Sequence, residues 1–278
     1  MLLATTIEGY DAELVERVVP LVDMIEISPD RWVREQDGVA SIPQSALDFI
    51  AGLARQAPLV VHGVGLSIGS YDRWSQSYIG LLDQLFEAVP IRWHSEHLGY
   101  AEVEGEPLGT MVELPRSREA LRLVAQRVRA IQQRYAVPFL LENVARALPD
   151  DGTEQFSPAG FVNEIVAETG CGLLLDVYNL ECDRHNIGLN IPDFLDELDL
   201  RAVREIHIAG GTLYKGFRLD IHSRLVEDST IALAREAMSR CPAAEVVVFE
   251  ILDEAVAALG APAVAAELVR LRGRLGLV

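Results

Sequence analysis

Cysteine is scarce in this 278-residue chain. Cys171, Cys182 and Cys241 are its three thiols, too few and too scattered for a disulfide framework or a thiolate zinc site. A reducing cytoplasm is the simplest setting for such usage. No apolar run approaches a membrane span. The opening Met1-Leu2-Leu3-Ala4-Thr5-Thr6 lacks the basic and apolar regions of a signal peptide. Positive charge is also short: 24 Lys and Arg face 42 Asp and Glu, for a formal net charge of −18. That balance argues against a nonspecific hold on nucleic acid, which needs Lys and Arg to neutralise phosphates. It reads mostly as a solvated acidic surface. Linker-like and low-complexity stretches are missing, as are a Walker A motif, a dinucleotide fingerprint and a Ser-His-Asp signature in a convincing context. One domain spanning 1–278 is expected.

What the chain has is a repeating alternation. Eight short runs rich in Leu, Ile and Val lack a clean polar alternation, as strands buried on both faces of a parallel sheet do. They are Leu2–Ile7, Met24–Ser28, Leu59–Gly63, Ile91–His94, Pro138–Glu142, Gly172–Asp176, Glu205–Ile208 and Val246–Ile251. Between them lie segments with helical spacing: Tyr10–Val19, Gln44–Gln56, Tyr71–Ala88, Ser117–Tyr135, Ser157–Thr169, Ile191–Leu198, Ser229–Ser239 and Ala255–Leu275. Proline near a first turn supports the starts at Ser157-Pro158 and Ile191-Pro192. Eight strand–helix alternations in one chain predict an α/β fold of the (β/α)8 TIM-barrel type rather than an open sheet.

Ligand-type side chains recur at the ends of those runs. His62, Glu142, Asp176 and Glu250 each close one, His94, Glu96 and His97 cluster at a fifth, and His207 lies inside a sixth. Asp220 and His222 are two apart, so on an extended segment both face one side. In a barrel the C-terminal strand ends converge on one face, where active sites are built. Several carboxylates and histidines buried there without counter-charge would be costly, and a cluster of cations removes that cost. Imidazole mixed with carboxylate suits divalent iron, manganese or zinc. Singly, each residue has a plain alternative as a core histidine, a helix cap or an ion-pair partner. Tyr178, Arg184, Tyr214, Lys215 and Arg218 are placed to line the mouth, with Lys215-Gly216-Phe217-Arg218 as a loop that closes over it. Cys182, in a loop after Asp176, reads as an inert buried thiol.

The ordered motifs carry a resemblance. They are Val61-His62-Gly63-Val64-Gly65-Leu66-Ser67, Ser95-Glu96-His97-Leu98, Leu140-Leu141-Glu142-Asn143, Leu174-Leu175-Asp176-Val177-Tyr178-Asn179, Glu205-Ile206-His207-Ile208-Ala209-Gly210 and Asp220-Ile221-His222. Glu26 in Ile25-Glu26-Ile27-Ser28-Pro29 and the terminal Phe249-Glu250 also fit. Together they resemble the metal frame of the xylose-isomerase-like barrels, which include the apurinic endonucleases. More closely, over nearly the full chain, they resemble the multinuclear non-haem iron-dependent oxidative enzymes, the family of the methanobactin biosynthesis oxidase.

That resemblance implies metal ligands at His62, His97, Glu142, Asp176, Asn179, His207, Asp220, His222 and Glu250, with catalysis centred on His62, His207, Asp220 and His222. Asn179 stands where the nuclease relatives carry a histidine. His97 is preferred over His94, which is expected in the core or behind the ligands. Glu96, Asn143, Tyr178, His185 and Arg218 are implied as surrounding or substrate-contacting residues. The implied cofactor is two or three irons of mixed Fe(II)/Fe(III) state, with O2 as co-substrate. The implied substrate is a ribosomally made precursor peptide, oxidised often at cysteine and in other members at Asp or Asn, with a separate peptide-recognising partner protein.

The chain departs from the pattern at three places: Gly211 where the family commonly has histidine, Ser223 where it often has aspartate, and Ile187 in place of a histidine that His185 is near enough to replace. The alternatives are a zinc- or manganese-dependent hydrolase of the apurinic-endonuclease type, a sugar isomerase, and a catalytically weakened metal-binding scaffold that supports a partner.

Overall fold

The computed structural model describes residues 1–36 and 39–277. Eight parallel strands close into a barrel: β1 (Leu2–Thr6), β2 (Met24–Ile27), β3 (Leu59–Gly63), β4 (Ile91–His97), β5 (Phe139–Glu142), β6 (Gly172–Asp176), β7 (Val203–Ile208) and β8 (Val246–Phe249). Each strand pairs with its sequence neighbours, and β1 closes the ring against β8 with Leu2 opposite Val246. Helices α1 (Ala12–Val18), α2 (Gln44–Ala54), α3 (Gln76–Ala88), α4 (Arg118–Arg134), α5 (Pro158–Thr169), α6 (Val177–Ile187), α7 (Ile191–Glu197), α8 (Asp228–Arg240), α9 (Asp253–Leu259) and α10 (Ala261–Leu275) surround it. This is the (β/α)8 TIM barrel that the alternation predicts. Among the described residues no helix is long and apolar enough to cross a membrane.

Two large apolar cores, and a small cluster at Tyr178, Cys182 and Ala209, hold the fold together. The larger lies between the sheet and the helices and takes one face of each strand, including Ile25, Val61, Leu141, Leu175 and Ile206. The smaller fills the barrel itself: Ala4, Met24, Val60, Trp93, Leu140, Leu174, Val246 and Val248 pack only with one another and with Leu2. Side chains two residues apart on a strand share a face. One step further along each strand, the same inner face therefore presents Thr6, Glu26, His62, Ser95, Glu142, Asp176 and Glu250. The barrel has an apolar floor and a polar upper storey, and the change happens within one pleat.

Several elements differ from expectation. The segment after Asp176, expected as a loop holding Cys182 and His185, is helix α6. Asp176 caps it by accepting from the Asn179 backbone N–H at 2.7 Å, and Val177 through Asp183 are all buried. A helix covered on most of its circumference shows no amphipathic stripe, so periodicity could not reveal it. The third helix starts at Gln76 rather than Tyr71, behind its cap Ser75. The last predicted helix is two, α9 and α10, broken at Gly260 with φ +87. Three antiparallel hairpins were not foreseen: 34–36 with 39–41, 99–103 with 106–113, and 212–214 with 217–219. The third includes the stretch expected as a loop at Lys215-Gly216, which forms its turn with both residues at positive φ.

Candidate metal centre

The polar storey brings most of the predicted ligands into one connected cluster. His62, His97 and Glu142 converge, as do His62, His207 and Glu250, then Glu142, Asp176 and His207, and finally Asp176, His222 and Glu250. In each trio one ligand atom per residue lies within 4.8 Å of the others. Glu142 is the hinge of the set. Its Oε2 faces the Nε2 atoms of both His62 and His97 at 3.2 Å, while its Oε1 faces the Asn179 amide nitrogen at 3.4 Å.

Neighbouring groups fix which imidazole nitrogen is free. The Gly63 carbonyl can only accept, so His97 Nδ1–H donates to it at 3.0 Å and Nε2 is the nitrogen that faces the cluster. Ser95 Oγ donates to the Val61 carbonyl at 3.2 Å and accepts from His62 Nδ1 at 2.9 Å, which turns His62 Nε2 to the cluster. Burial and the nearby His97 ring hold the His62 pKa well below its usual value, so the ring is neutral. Metal-binding histidines are oriented in this way, with the other ring nitrogen donating to a carbonyl or hydroxyl.

His207 and His222 differ, because carboxylates meet both of their nitrogens. His207 Nδ1 lies 2.9 Å from Glu250 Oε2, and its Nε2 lies 3.1 Å from Glu26 Oε2. His222 contacts Glu250 Oε1 at 3.1 Å and Asp220 Oδ1 at 2.6 Å. Burial works to lower both imidazole pKa values, but Glu26 and Glu250 on His207, and Asp220 and Glu250 on His222, outweigh it and hold both well above normal. Burial drives the Glu142 and Asp176 carboxyls well above the carboxylate range and Glu26 up to about 8. His222 also sits at φ +38, a left-handed backbone that side chains rarely adopt and that collects at functional sites.

Unpartnered atoms supply the test of a cation. Eight buried side-chain atoms in and just below the upper storey make no hydrogen bond. His62 Nε2 and Glu142 Oε2, and His222 Nε2 and Asp220 Oδ1, meet only as ion-pair contacts, while Glu26 Oε1, Asp176 Oδ2, Asn179 Oδ1 and Glu205 Oε1 have no hydrogen-bond partner at all. A polar group buried with no partner costs roughly 1–3 kcal/mol, and these atoms all belong to ligand-type residues in or beside the cluster. The donor set is imidazole, carboxylate and one amide oxygen, which fits iron, manganese or zinc. The Asn179 amide is oriented by its NH2 donating to the Asn143 carbonyl at 3.0 Å, leaving the oxygen free.

The remaining predicted residues lie around this centre or away from it. Asn143 exchanges two hydrogen bonds of 2.9 Å with the Asp176 backbone and holds the end of β6. Tyr178 is buried, donates to the Leu219 carbonyl at 3.3 Å and lies under the Arg218 guanidinium, 5.2 Å from its ring centre. His185 is on the exposed side of α6, with Nε2 3.0 Å from the Gly216 carbonyl, tying helix to hairpin. His94 and Glu96 share the outer face of β4, bonded to each other at 2.8 Å, and His94 is ringed by Phe86, Tyr135 and Phe139. His94 is thus a core residue, as preferred. Cys182 is buried, and burial pushes its thiol pKa up.

Two members of the cluster lay outside the predicted ligand set. Glu26 reaches His207, and Glu205 sits in the apolar floor, accepting from Trp93 Nε1 at 2.8 Å while its other oxygen lies 3.7 Å from His207 Nε2. The signal for Glu205 is its spacing of two from His207. Gly211 also gains an account: a Cβ there would come within 2.3 Å of both the Leu219 carbonyl and the Tyr178 hydroxyl. Tyr178 and the third hairpin occupy the place into which a longer side chain would project.

Comparison with known proteins agrees with this picture. The family model for the RiPP precursor modification enzyme MbnB/TglH/ChrH matches residues 8–269. A UPF0276 protein of Anaeromyxobacter sp. (strain Fw109-5) is 33% identical over 223 residues, spanning 80% of this chain and 76% of that protein. A solved structure of IOLI protein with a binding zinc atom aligns at TM-score 0.63 and 15% identity over 99% of this chain and 98% of the other. A xylose isomerase domain containing protein from Salmonella typhimurium LT2 aligns at TM-score 0.61 and 13% identity over 98% and 96%. At such identities the two structures speak for the fold alone.

Proposed function

The chain belongs to the MbnB/TglH/ChrH family of RiPP precursor modification enzymes, and on that premise we propose that it is an iron-bearing, O2-dependent enzyme that oxidises one residue of a ribosomally made peptide. The observation that carries the reading is the convergence of imidazole, carboxylate and amide ligand atoms, several of them with no hydrogen-bond partner, at the C-terminal mouth of the barrel. Two or three irons of mixed Fe(II)/Fe(III) state would be held by His62, His97 and Glu142, by Glu142, Asp176, His207 and Glu250, and by Asn179, Asp220 and His222. Bound iron supplies the one-electron chemistry with O2 that no amino-acid side chain provides.

The chain's own residues do the rest. Gly63 and Ser95 fix the tautomers of His97 and His62. Glu26 holds a proton on His207 Nε2 or takes it up, which sets which face of that ring is basic. The floor of Met24, Val60, Trp93, Leu140 and Leu174 keeps water from entering below the cluster. His62, His207, Asp220 and His222 are the residues closest to the reacting centre in this proposal. The target residue is a cysteine, or in the wider pattern Asp or Asn, and a separate protein presents the peptide. A cytoplasmic setting agrees with Cys171, Cys182 and Cys241, which are all free thiols.

The test is metal content by elemental analysis with Mössbauer spectroscopy on protein purified anaerobically, followed by O2 uptake with the native peptide and partner. Two or three coupled irons and O2 consumption are expected. Zinc or manganese with phosphodiester cleavage would replace this reading with metal-assisted hydrolysis. Iron without O2 uptake would leave a metal-binding scaffold.

A further inference from the structure

A peptide substrate must reach the cluster, and a cleft lined by His97 and Asp220 leads to it. The second hairpin (99–113) follows β4 and the third (212–219) follows β7. A cleft of about 670 Å3 opens between them, with His97 and Asp220 at its base and the segment 144–148 along one wall. That volume is in the range of sites that bury a ligand of several side chains.

The cleft is apolar in an unusual place. Leu148 is 73% exposed, Phe217 41% and Ile221 36%, and all three line it. Further exposed apolar side chains stand on the same two hairpins at Leu108, Leu213 and Tyr214. Apolar side chains gathered in the open around a site mark a surface that something covers. The charges of the cleft are already matched within the chain. Arg146 pairs with Glu113 and Asp150, Arg116 with Asp150, and Arg218 with Glu227. Among the described residues the lining leaves no Lys or Arg unpaired; of its other carboxylates, Glu154 accepts from the Asp151 and Gly152 backbone N–H groups and Asp220 faces His222. Among the described residues, each of these hairpins is a two-stranded sheet, so its outer edges keep backbone groups that an extended chain can use.

We propose that this cleft seats the precursor peptide as an extended segment whose bulky apolar residues flank the residue to be modified, which enters beside His97 and Asp220. The proposal rests on the peptide-modifying reading above and adds the route and the side-chain class that recognises the substrate. Binding by apolar contact and backbone pairing follows, with little dependence on salt.

Fluorescence anisotropy of metal-loaded protein with labelled nonapeptides tests this. Each carries a central cysteine flanked by Leu and Phe, by Glu, or by Lys. The apolar-flanked peptide is expected to bind at least about tenfold more tightly than either charged one. Leu148→Asp and Phe217→Asp are expected to weaken it by about tenfold or more. Val269→Asp, at an equally exposed apolar position on α10, leaves it unchanged. A photo-crosslinking residue in place of Leu148 should join covalently to the same peptide. Tighter binding by a charged peptide, no binding by the apolar one, or unaltered binding by both cleft variants would overturn the proposal. So would loss of a dimer in Leu148→Asp, which would make the cleft a contact between copies. Iron content of the same samples separates the two readings. Iron present with no peptide bound sinks the cleft alone, whereas peptide bound to protein that takes up no iron sinks the oxidative assignment alone.

Discussion

His94 and His97 lie three residues apart on one strand and each meet a buried glutamate, yet they serve different ends. His94 points outward and pairs one to one with Glu96 at 2.8 Å inside a shell of aromatic rings. Burial alone pulls its pKa down to about 3, so it remains a neutral polar group of the core. His97 points inward and shares the single oxygen Glu142 Oε2 with His62, both at 3.2 Å. Two imidazole nitrogens converging on one carboxylate oxygen, beside further carboxylates, is an arrangement that a cation bound among them would satisfy. A buried histidine beside a buried carboxylate therefore says little. Convergence of more acceptors than donors says much more.

The comparison breaks most sharply by substitution on the two faces. His97→Ala or Glu142→Gln is expected to remove at least one metal per chain and lower activity by about a thousandfold or more, read by elemental analysis and turnover. His94→Gln should keep full metal and cost about 1–3 kcal/mol of stability in a denaturant titration. Metal loss in the His94 variant would erase the distinction.

A smaller effect is expected at Glu26. Glu26→Gln keeps the full count at saturating metal but weakens affinity by about 10–100-fold, because it alters the group that orients His207. Chelator competition measures this, and unchanged affinity would reduce Glu26 to a buried passenger.

The pH dependence of stability sharpens the same contrast. In metal-free protein Glu26 titrates at about 8, and Glu142 and Asp176 also lie far above their usual values because of burial. These carboxyls hold protons that the unfolded chain has released, so stability falls as pH rises from about 5 to about 8. His207 and His222 act in the same direction, since their raised values give stability that is complete below the normal imidazole pKa and lost above it. His62, held low by burial, opposes them. The metal-free protein should lose at least about 5 °C of Tm over that window, and metal-loaded protein little, by calorimetry at fixed ionic strength. A flat or rising Tm without metal would show that the cluster does not hold those protons.

The smallest expected change is at Gly211. Gly211→Ala forces the Tyr178 hydroxyl and the Leu219 carbonyl apart, costing about 1–3 kcal/mol with metal content unaltered. Loss of metal there would tie the third hairpin directly to the centre.

The sequence by itself determined the barrel. Eight apolar runs without polar alternation admit few arrangements other than strands covered on both faces, and their placement between amphipathic segments selects the parallel closed form. It also located the strand ends at which His62, Glu142, Asp176 and Glu250 stand. Helix α6 stayed hidden because burial around most of its surface removes the stripe that periodicity detects. The hairpins at 99–113 and 212–219 stayed hidden because their largely exposed strands lack the apolar runs that mark the barrel strands. Tertiary structure alone decided that Glu26 meets His207 across 181 residues, that Glu205 is anchored by Trp93, and that the two rim hairpins leave an apolar cleft above His97 and Asp220. Strand identity is set by local hydrophobic pattern, whereas a shared centre depends on the register and closure of the barrel, and these are properties of the whole ring.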